Sequence, residues 1–487
     1  MLPTLPHSIV RQVLEVEVTG TEAQAFALHS TLAALCKQTL LPVIEQAFER
    51  CGPKDRLIRI DRLELDLGSV ALERLEQELP ALLQRSLGTA LDAHLAARPE
   101  PQDGTGSYTT TVAHGMDEAL AYFLQWGTLP PALRLFQGCD FEATLRACQD
   151  AAGRGALPPL PATLHAALRS SAGIERLAGQ FSVAFGRTVL ARMGTTWVGA
   201  LEAAVAQAPA RPAGANAGAA NEPGHLRPGE PVPAAVERLL LRAALHCAAR
   251  GGDSSAHVLI RDALALAGAS SAAQAALADM LRPNRSTRAA RSSPAGSLPA
   301  GDLKAAGLQS VQAAAFHHPD REAGIFIENA GLVLLHPFLA PLFEMLAISC
   351  GERLLLPSRA LAVLHFLASG QDSGPEYALA LPKILCALPV TANVEAGIVT
   401  CAVEQAEACD MLEAVIAHWS KLQNTSPDGL RGAFLMRPGK LSQRNGEWVL
   451  QVEAHAADIL LSDLPWGVSA IRLPWMEHIL WVEWNSP

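Results

Sequence analysis

Two segments with few large apolar residues interrupt this chain and limit what it can fold into. Residues 208–232 and 283–307 are rich in Ala, Gly, Pro and Ser, and six prolines lie in or beside the first segment. Proline fixes its own φ angle and lacks a backbone donor, so no continuous helix can run through such a segment. These compositions are typical of flexible linkers. The sequence therefore predicts separate folded parts joined by linkers.

The remaining patterns predict an α+β fold that is predominantly α-helical. We expect a small N-terminal strand-helix-strand-helix unit, an Ala/Pro/Gly-rich helical middle, and a mostly helical C-terminal domain with a few strands. The corresponding boundaries are an N-terminal α/β module at 1–98, a variable helical region at 99–323 with linkers near 99–111, 208–232 and 283–307, and a C-terminal domain at 324–487.

Alternation of apolar and charged residues predicts two N-terminal strands. Leu14, Val16 and Val18 alternate with glutamates within 13–18, and a second alternating run occupies 57–68. The apolar parity shifts between residues 60 and 63 of the second run, which predicts a bulge. We further expect the strand near 13–18 to share a sheet with a C-terminal strand near 480–484, because neither has an obvious partner nearby.

Leucines recur every fourth residue from Leu75 to Leu95. Such a stripe winds slowly around a helix, by about 40° per step. Packing on the sheet of its own module is the favoured interpretation, and an intermolecular helix pair is the alternative.

Charge and apolar length exclude two classes of protein. A net charge of -10 argues against a nucleic-acid binder that works through its overall charge. The arginine run from Arg282 to Arg291 is interpreted as a solvated linker, with anchoring to an acidic surface or nucleic acid as the alternative. The most apolar stretch, 331–348, contains two prolines and Glu344, and a charge near a bilayer centre costs roughly 3 kcal/mol. We interpret it as protein core, so no membrane partner is expected.

The nine cysteines are scattered, and none forms a Cys-x-x-Cys pair. Neither a disulfide framework nor a zinc ribbon is indicated, and a reducing compartment fits this pattern. The first residues lack the charged and apolar regions of a secretory signal.

The sequence contains no phosphate loop, nucleophile elbow, metalloprotease helix or dinucleotide fingerprint. Four weaker candidates are a metal site at His317 and His318, an acidic cluster of Asp61, Glu64 and Asp66, a buried base at His336, and an activated thiolate at Cys386. We interpret His317 and His318 as part of a solvent-exposed junction, and the acidic cluster as the solvent-facing side of a strand. His336 is interpreted as a structural histidine and Cys386 as an inert core thiol. No catalytic, cofactor or metal site is expected.

A dense set of motifs fills the C-terminal part. It includes Ile-Glu-Asn-Ala-Gly-Leu at 327–332, His-Pro-Phe-Leu at 336–339, Leu-Pro-Lys-Ile-Leu-Cys at 381–386, and two Leu-Pro-Trp tripeptides. With Ile-Asp-Arg-Leu-Glu-Leu-Asp-Leu-Gly at 60–68, these motifs resemble the tape measure protein family of contractile injection systems, which are phage-tail-like bacterial particles. The resemblance covers roughly 1–98 and 324–484. Structural or interaction residues are expected within these motifs at Glu328, Asn329, Gly331, His336, Pro337, Pro382, Lys383, Cys386, Trp419, Pro465, Trp466, Pro474 and Trp475.

The resemblance implies a non-enzymatic structural or assembly protein that sets the length of a particle's tube and sheath. It implies no cofactor, and inner tube, baseplate or spike components as partners, with self-association as a further option. The protein would be cytoplasmic during assembly and then reside within the particle. Under this hypothesis, the Pro-rich middle region keeps two docking modules, one towards each end of the chain, at a distance from each other. The alternatives are a compact assembly factor or adaptor, and an enzyme that uses His336 or the acidic strand.

Overall fold

The structure, a computed structural model, describes the greater part of the chain. Its helices outnumber its strands, so the predicted α+β, predominantly α-helical class is confirmed. The predicted linkers at 208–232 and 283–307 lie outside the described residues apart from Val232. The described residues are 7, 9, 12–19, 21, 28, 31–32, 34–51, 56–60, 62–97, 108–135, 140–151, 159–207, 232–252, 254–267, 272–280, 324–394, 397–422 and 424–484.

The chain divides into two compact units. The first comprises Met1–Gln125 and Leu129–Leu168, and the second comprises Trp126–Thr128 and Arg169–Pro487. The division into three parts at 98 and 323 stays a prediction.

The first unit contains five helices and one strand pair among its described residues. A π-helical turn at Cys36–Leu40 leads into α1. The elements are α1 (Leu41–Cys51), β1 (Arg56–Arg59), α2 (Leu75–Ala97), β2 (Tyr108–Thr111), α3 (Val112–Trp126, whose last residue belongs to the second unit), α4 (Phe141–Ala151) and α5 (Ala162–Arg169).

The leucine stripe of α2 packs within its own unit, as expected, but on a helix. Leu79, Leu83, Leu87 and Leu91 are buried together with Leu40 and other residues of the π-helical turn and α1. Half-buried apolar residues from 60–67 complete this cluster. The stripe winds around α2, and two elements cover it: α1 with its preceding turn, and the extended residues 60–67.

The strand predictions need two corrections. Within the described residues of the predicted second strand, 57–68, only 57–59 are paired, as part of β1 and antiparallel to β2. Strand β2 lies at the end of the predicted linker near 99–111. The predicted sheet shared by 13–18 and 480–484 is wrong: residues 12–19 form no strand and are all exposed, whereas the C-terminal strand has neighbours on both edges. Alternation reports which side chains share a face, and it does not identify the partner strand.

The helical part of the second unit is organised around one helix. Helix α9 contacts α6, α7, α8, α10 and α11, and it buries Leu240, Ala244 and Leu245 completely. Serine caps begin three of these helices, as Ser170, Ser182 and Ser255 accept hydrogen bonds from main-chain amides in the first turn. The helices are α6 (Ser171–Gln180), α7 (Val183–Met193), α8 (Thr195–Val205), α9 (Val232–Arg250), α10 (Ala256–Leu266) and α11 (Ala272–Met280).

The C-terminal part of the second unit contains a five-stranded sheet of order β3-β6-β7-β9-β8. Asn445 and Gly446 both have positive φ, as a tight hairpin turn between β6 and β7 requires. Strand β9 then pairs in parallel with β7. The strands are β3 (Ile325–Ile327), β4 (Ser349–Cys350), β5 (Arg353–Leu354), β6 (Gly439–Arg444), β7 (Glu447–Val452), β8 (Ala470–Ile471) and β9 (Leu480–Trp484).

Helices pack against this sheet, and together they enclose a core that includes many leucines with phenylalanine and tryptophan. Strands β4 and β5 form a separate short hairpin. The helices are α12 (His336–Met345), α13 (Pro357–Ser369), α14 (Ala380–Leu385), α15 (Ala402–His418) and α16 (Pro427–Leu430).

Candidate docking domain and its buried charge network

Gly331 lies where two irregular helices meet with no space between their backbones. It belongs to a 3-10 helix, Ala330–Leu335, that packs on a π-helical turn, Arg431–Leu435. A Cβ atom at this position would lie 1.7 Å from the carbonyl oxygen of Phe434. Only glycine permits this approach. The motif at 327–332 therefore requires glycine at position 331 for close backbone packing.

Three indole groups tie distant parts of the C-terminal core together. Trp419 Nε1 donates to the Leu460 carbonyl at 3.2 Å, Trp466 Nε1 to Leu334 at 3.0 Å, and Trp475 Nε1 to Leu385 at 2.8 Å. Each bond satisfies a main-chain oxygen and the one polar atom of a large apolar side chain.

The same tryptophans make ring contacts. Trp475 stacks on Phe343 with ring centroids 5.5 Å apart, Trp466 meets Phe338 edge-on at 5.2 Å, and Trp419 lies 4.8 Å from Phe434. The two Leu-Pro-Trp motifs thus place an exposed proline, Pro465 or Pro474, beside a tryptophan that enters the core.

The residues around the start of α12 serve local structure. Pro337 occupies the first helical turn, where its missing N–H has no partner to lose. His336 Nδ1 lies 3.0 Å from the Val333 carbonyl, and burial lowers the pKa of this imidazole. Asn329 is buried and donates from Nδ2 to the Ala378 carbonyl at 3.0 Å. Glu328 is exposed.

Lys383 is fully buried and belongs to a network that the sequence did not predict. Its Nζ donates to Glu376 Oε1 and to the Val390 carbonyl, both at 2.8 Å. Arg176 of α6 donates from Nε to the same carboxylate, at 3.1 and 3.2 Å, and from Nη2 to the Thr391 carbonyl. All three charged side chains are at most 1% exposed. One carboxylate therefore bridges two cations inside the second unit.

The network lowers the pKa of the Lys383 ammonium from its ordinary value. Burial lowers the pKa of its ammonium, the charge of Arg176 lowers it further, and the Glu376 carboxylate raises it. A buried ionic group is tolerated when each of its polar atoms has a partner, and here main-chain carbonyls complete the set. Gly127 closes one side, since a Cβ atom there would lie 2.4 Å from Glu376 Oε1.

Sequence reasoning found Lys383 through its motif but missed both of its partners. Arg176 and Glu376 are 200 positions apart, and no short motif connects them. The available signal was weak: Arg176 lies in an apolar helix beside Ile174 and Leu177, which are buried. Pro382 is likewise buried in α14.

A second buried ion pair lies in the C-terminal core. Arg437 Nη2 lies 3.0 Å from Asp458 Oδ1, and Asp458 also accepts from the His455 amide at 2.8 Å. Arg437 donates further to the carbonyls of Ala433 and Glu453. This pair holds the turn after β7 against the π-helical turn that precedes β6.

The weaker chemical candidates have structural surroundings or lie outside the described residues. Cys386 is buried, and burial raises the pKa of its thiol far above the ordinary value, so it is a poor nucleophile. Glu64 and Asp66 are exposed, Glu64 beside Arg62 and Asp66 bonded to the Gly68 amide. His317, His318 and Asp61 are not among the described residues. Within the described ranges, no three His, Cys, Asp or Glu side chains are grouped to hold a metal.

The described helices include none that is long and apolar enough to cross a membrane. Residues 331–348 instead form the 3-10 helix and α12 within the C-terminal core.

The C-terminal motifs therefore converge on one packed domain. Residues 6–484 match the model of the contractile injection system tape measure protein family. The chain belongs to this family. Comparison with curated proteins and with solved structures found no match.

Membership confirms the resemblance and assigns this tape measure family protein a structural or assembly role in a contractile injection system. The family is a structural one, and it associates with components of the contractile particle. Within the C-terminal core, the motif residues described above contribute close packing and the buried Lys383–Glu376 ion pair.

Proposed function

We propose that this tape measure family protein acts during particle assembly as a compact docking component, and that its middle region does not measure length by stretching. The second unit would dock on an inner tube, baseplate or spike component. The packing of α8 against α9 is the observation that carries this proposal.

A spacer works only if its two ends can move apart. Segment 208–231 leaves α8 and returns to α9, and these two helices contact each other and also share α10 as a neighbour. Fully stretched, the segment would span about 80 Å. That length is not available while α8 and α9 remain packed, because both ends of the segment are held at one place.

The buried charge network ties α6 to the C-terminal core in the same way. Pulling α6 away would separate Arg176 from Glu376, and breaking such a buried ion pair costs about 3 to 5 kcal/mol. Using the middle helices as an extended ruler would therefore require the second unit to unfold.

Particle length provides the test. Segment 208–231 would be replaced by a Gly-Ser segment of half, equal and double length, and tube and sheath lengths would be measured by electron microscopy. The proposal predicts equal particle lengths for all three variants. Lengths that rise with the segment would contradict it and favour the ruler mechanism.

A second measurement locates the protein. Quantitative mass spectrometry of purified particles would detect a docking component that stays in the particle at fixed stoichiometry. Its loss from finished particles would favour the assembly factor that acts and then leaves.

A further inference from the structure

Residues 62–67 form an ordered segment whose side chains alternate like those of a β-strand. Arg62, Glu64 and Asp66 are exposed, whereas the leucines between them are half-buried. Leu63, Leu65 and Leu67 pack on the cluster formed by α1 and α2. Ser86 of α2 also donates to the Asp66 carbonyl at 3.3 Å. The segment is therefore fixed on one side by its own unit.

Among the described residues, no strand pairs with the main-chain edge of this segment. Pairing of β1 with β2 ends at Arg59 and Tyr108. In the described part of the chain, the main-chain groups of 62–67 make no hydrogen bond to another main-chain group. An extended segment whose main chain lacks a partner strand is a template for pairing with another strand.

The charges on this strand complement those of a second, antiparallel copy. When the two copies are centred on Glu64, Arg62 of each faces Asp66 of the other, and Leu63 faces Leu65. Two attractive pairs and two apolar pairs then accompany one repulsive pair, Glu64 with Glu64. Opposite charges directly across a strand pair stabilise it, and like charges destabilise it.

Other registers are less suitable. Moving the centre to residue 65 places Glu64 opposite Asp66 twice. Centring the pairing on residue 63 places Arg62 opposite Glu64 twice, but these two side chains already form an ion pair within the segment, so this register adds no new charge pair. It also carries the pairing across the parity shift between Ile60 and Leu63. Segment 12–19, which is also exposed, lacks this charge complementarity. Pairing two copies of it so that Leu14 faces Val18 places Glu15 opposite Glu17 twice.

We propose that two copies of this chain associate by antiparallel pairing of residues 62–66, with Arg62 of each copy facing Asp66 of the other. The interface is isologous, so each contact occurs twice. It lies in the first unit and does not depend on the docking role proposed for the second.

A charge exchange tests the register. The full-length chain would be examined by sedimentation equilibrium as wild type, Arg62→Asp, Asp66→Arg, and the double variant Arg62→Asp/Asp66→Arg. Each single change turns two attractive pairs into repulsive ones, so the dimer dissociation constant should rise about tenfold. The double variant restores both pairs and should recover the wild-type constant to within about threefold.

Hydrogen exchange distinguishes strand pairing from loss of folding. Protection of the amides between 62 and 66 should rise with wild-type concentration, while the amides of α2 stay protected in all four proteins. A chain that remains monomeric at all concentrations overturns the proposal. So does a dimer in which the double variant is no better than the single variants, or in which the amides at 62–66 gain no protection.

Discussion

Arg176 and Glu376 form a buried ion pair, with Arg176 Nε 3.1 Å from Glu376 Oε1, although 200 positions separate them in the sequence. The pair ties a helix of the middle region to the C-terminal core. Gln180, one turn after Arg176, supports the same contact by accepting from the Glu376 amide at 3.1 Å.

Replacing Glu376 with Gln should lower the free energy of unfolding of the second unit by about 3 to 5 kcal/mol. Arg176 would then remain buried without a counter-charge. All eight tryptophans lie in the second unit, so tryptophan fluorescence during chemical denaturation follows that unit alone. Glu413→Gln, on the exposed face of α15, is the matched control and should change stability by less than about 0.5 kcal/mol. Equal effects of the two changes would show that the pair contributes nothing.

His365 should make the second unit less stable in mild acid. Burial lowers the pKa of its imidazole, so the folded chain keeps it neutral below the ordinary value near 6.5, where the unfolded chain binds a proton. Its contribution to stability is complete above about pH 6.5 and is lost as the pH falls towards the lowered pKa, by up to about 1.4 kcal/mol per pH unit.

The measurement for His365 is chemical denaturation at several pH values between 5 and 8. His365→Gln should flatten the pH dependence, whereas His478→Gln, at an exposed position, should retain it. An unchanged slope in the His365 variant would assign the acid sensitivity to other groups.

Gly331→Ala should destabilise the C-terminal core by at least about 2 kcal/mol, because the added methyl group would overlap the Phe434 carbonyl. Gly432, on the neighbouring π-helical turn, is the control: a Cβ atom there meets no other atom within 4 Å. Thermal unfolding of the two variants should therefore differ clearly. A Gly331 variant as stable as the Gly432 variant would mean that the two turns can move apart at little cost.

Trp475→Phe should cost about 1 to 2 kcal/mol, because it leaves the Leu385 carbonyl without its donor while retaining an aromatic ring against Phe343. Trp481→Phe is the comparison, since Trp481 is 42% exposed. Denaturant midpoints measured at constant slope would separate the two. A smaller loss at Trp475 than at Trp481 would contradict the prediction.

The sequence predicted local structure better than long-range pairing. Leucine spacing located the buried stripe of α2, and alternation located the half-buried face of 62–67, because each pattern reflects one buried face of one element. The predicted pairing of 13–18 with β9 was wrong, because alternation within a segment does not show which other strand it pairs with.

The candidate residues show a similar division. Trp466 and Trp475 of the Leu-Pro-Trp motifs stand among the expected structural or interaction residues, and the structure packs both against the core. Lys383 was found as a motif residue only. Its environment depends on Arg176, whose position follows from the packing of six helices, and no local pattern reports that.

The packing of α8 against α9 holds the two ends of segment 208–231 close together, so lengthening this segment costs little chain entropy. A loop whose ends are already held together loses little by growing, because each doubling of its length costs only about 0.6 kcal/mol. An affinity tag or a small fluorescent domain inserted there should leave α8 and α9 packed. The segment thus offers a position from which the protein can be followed while particles assemble.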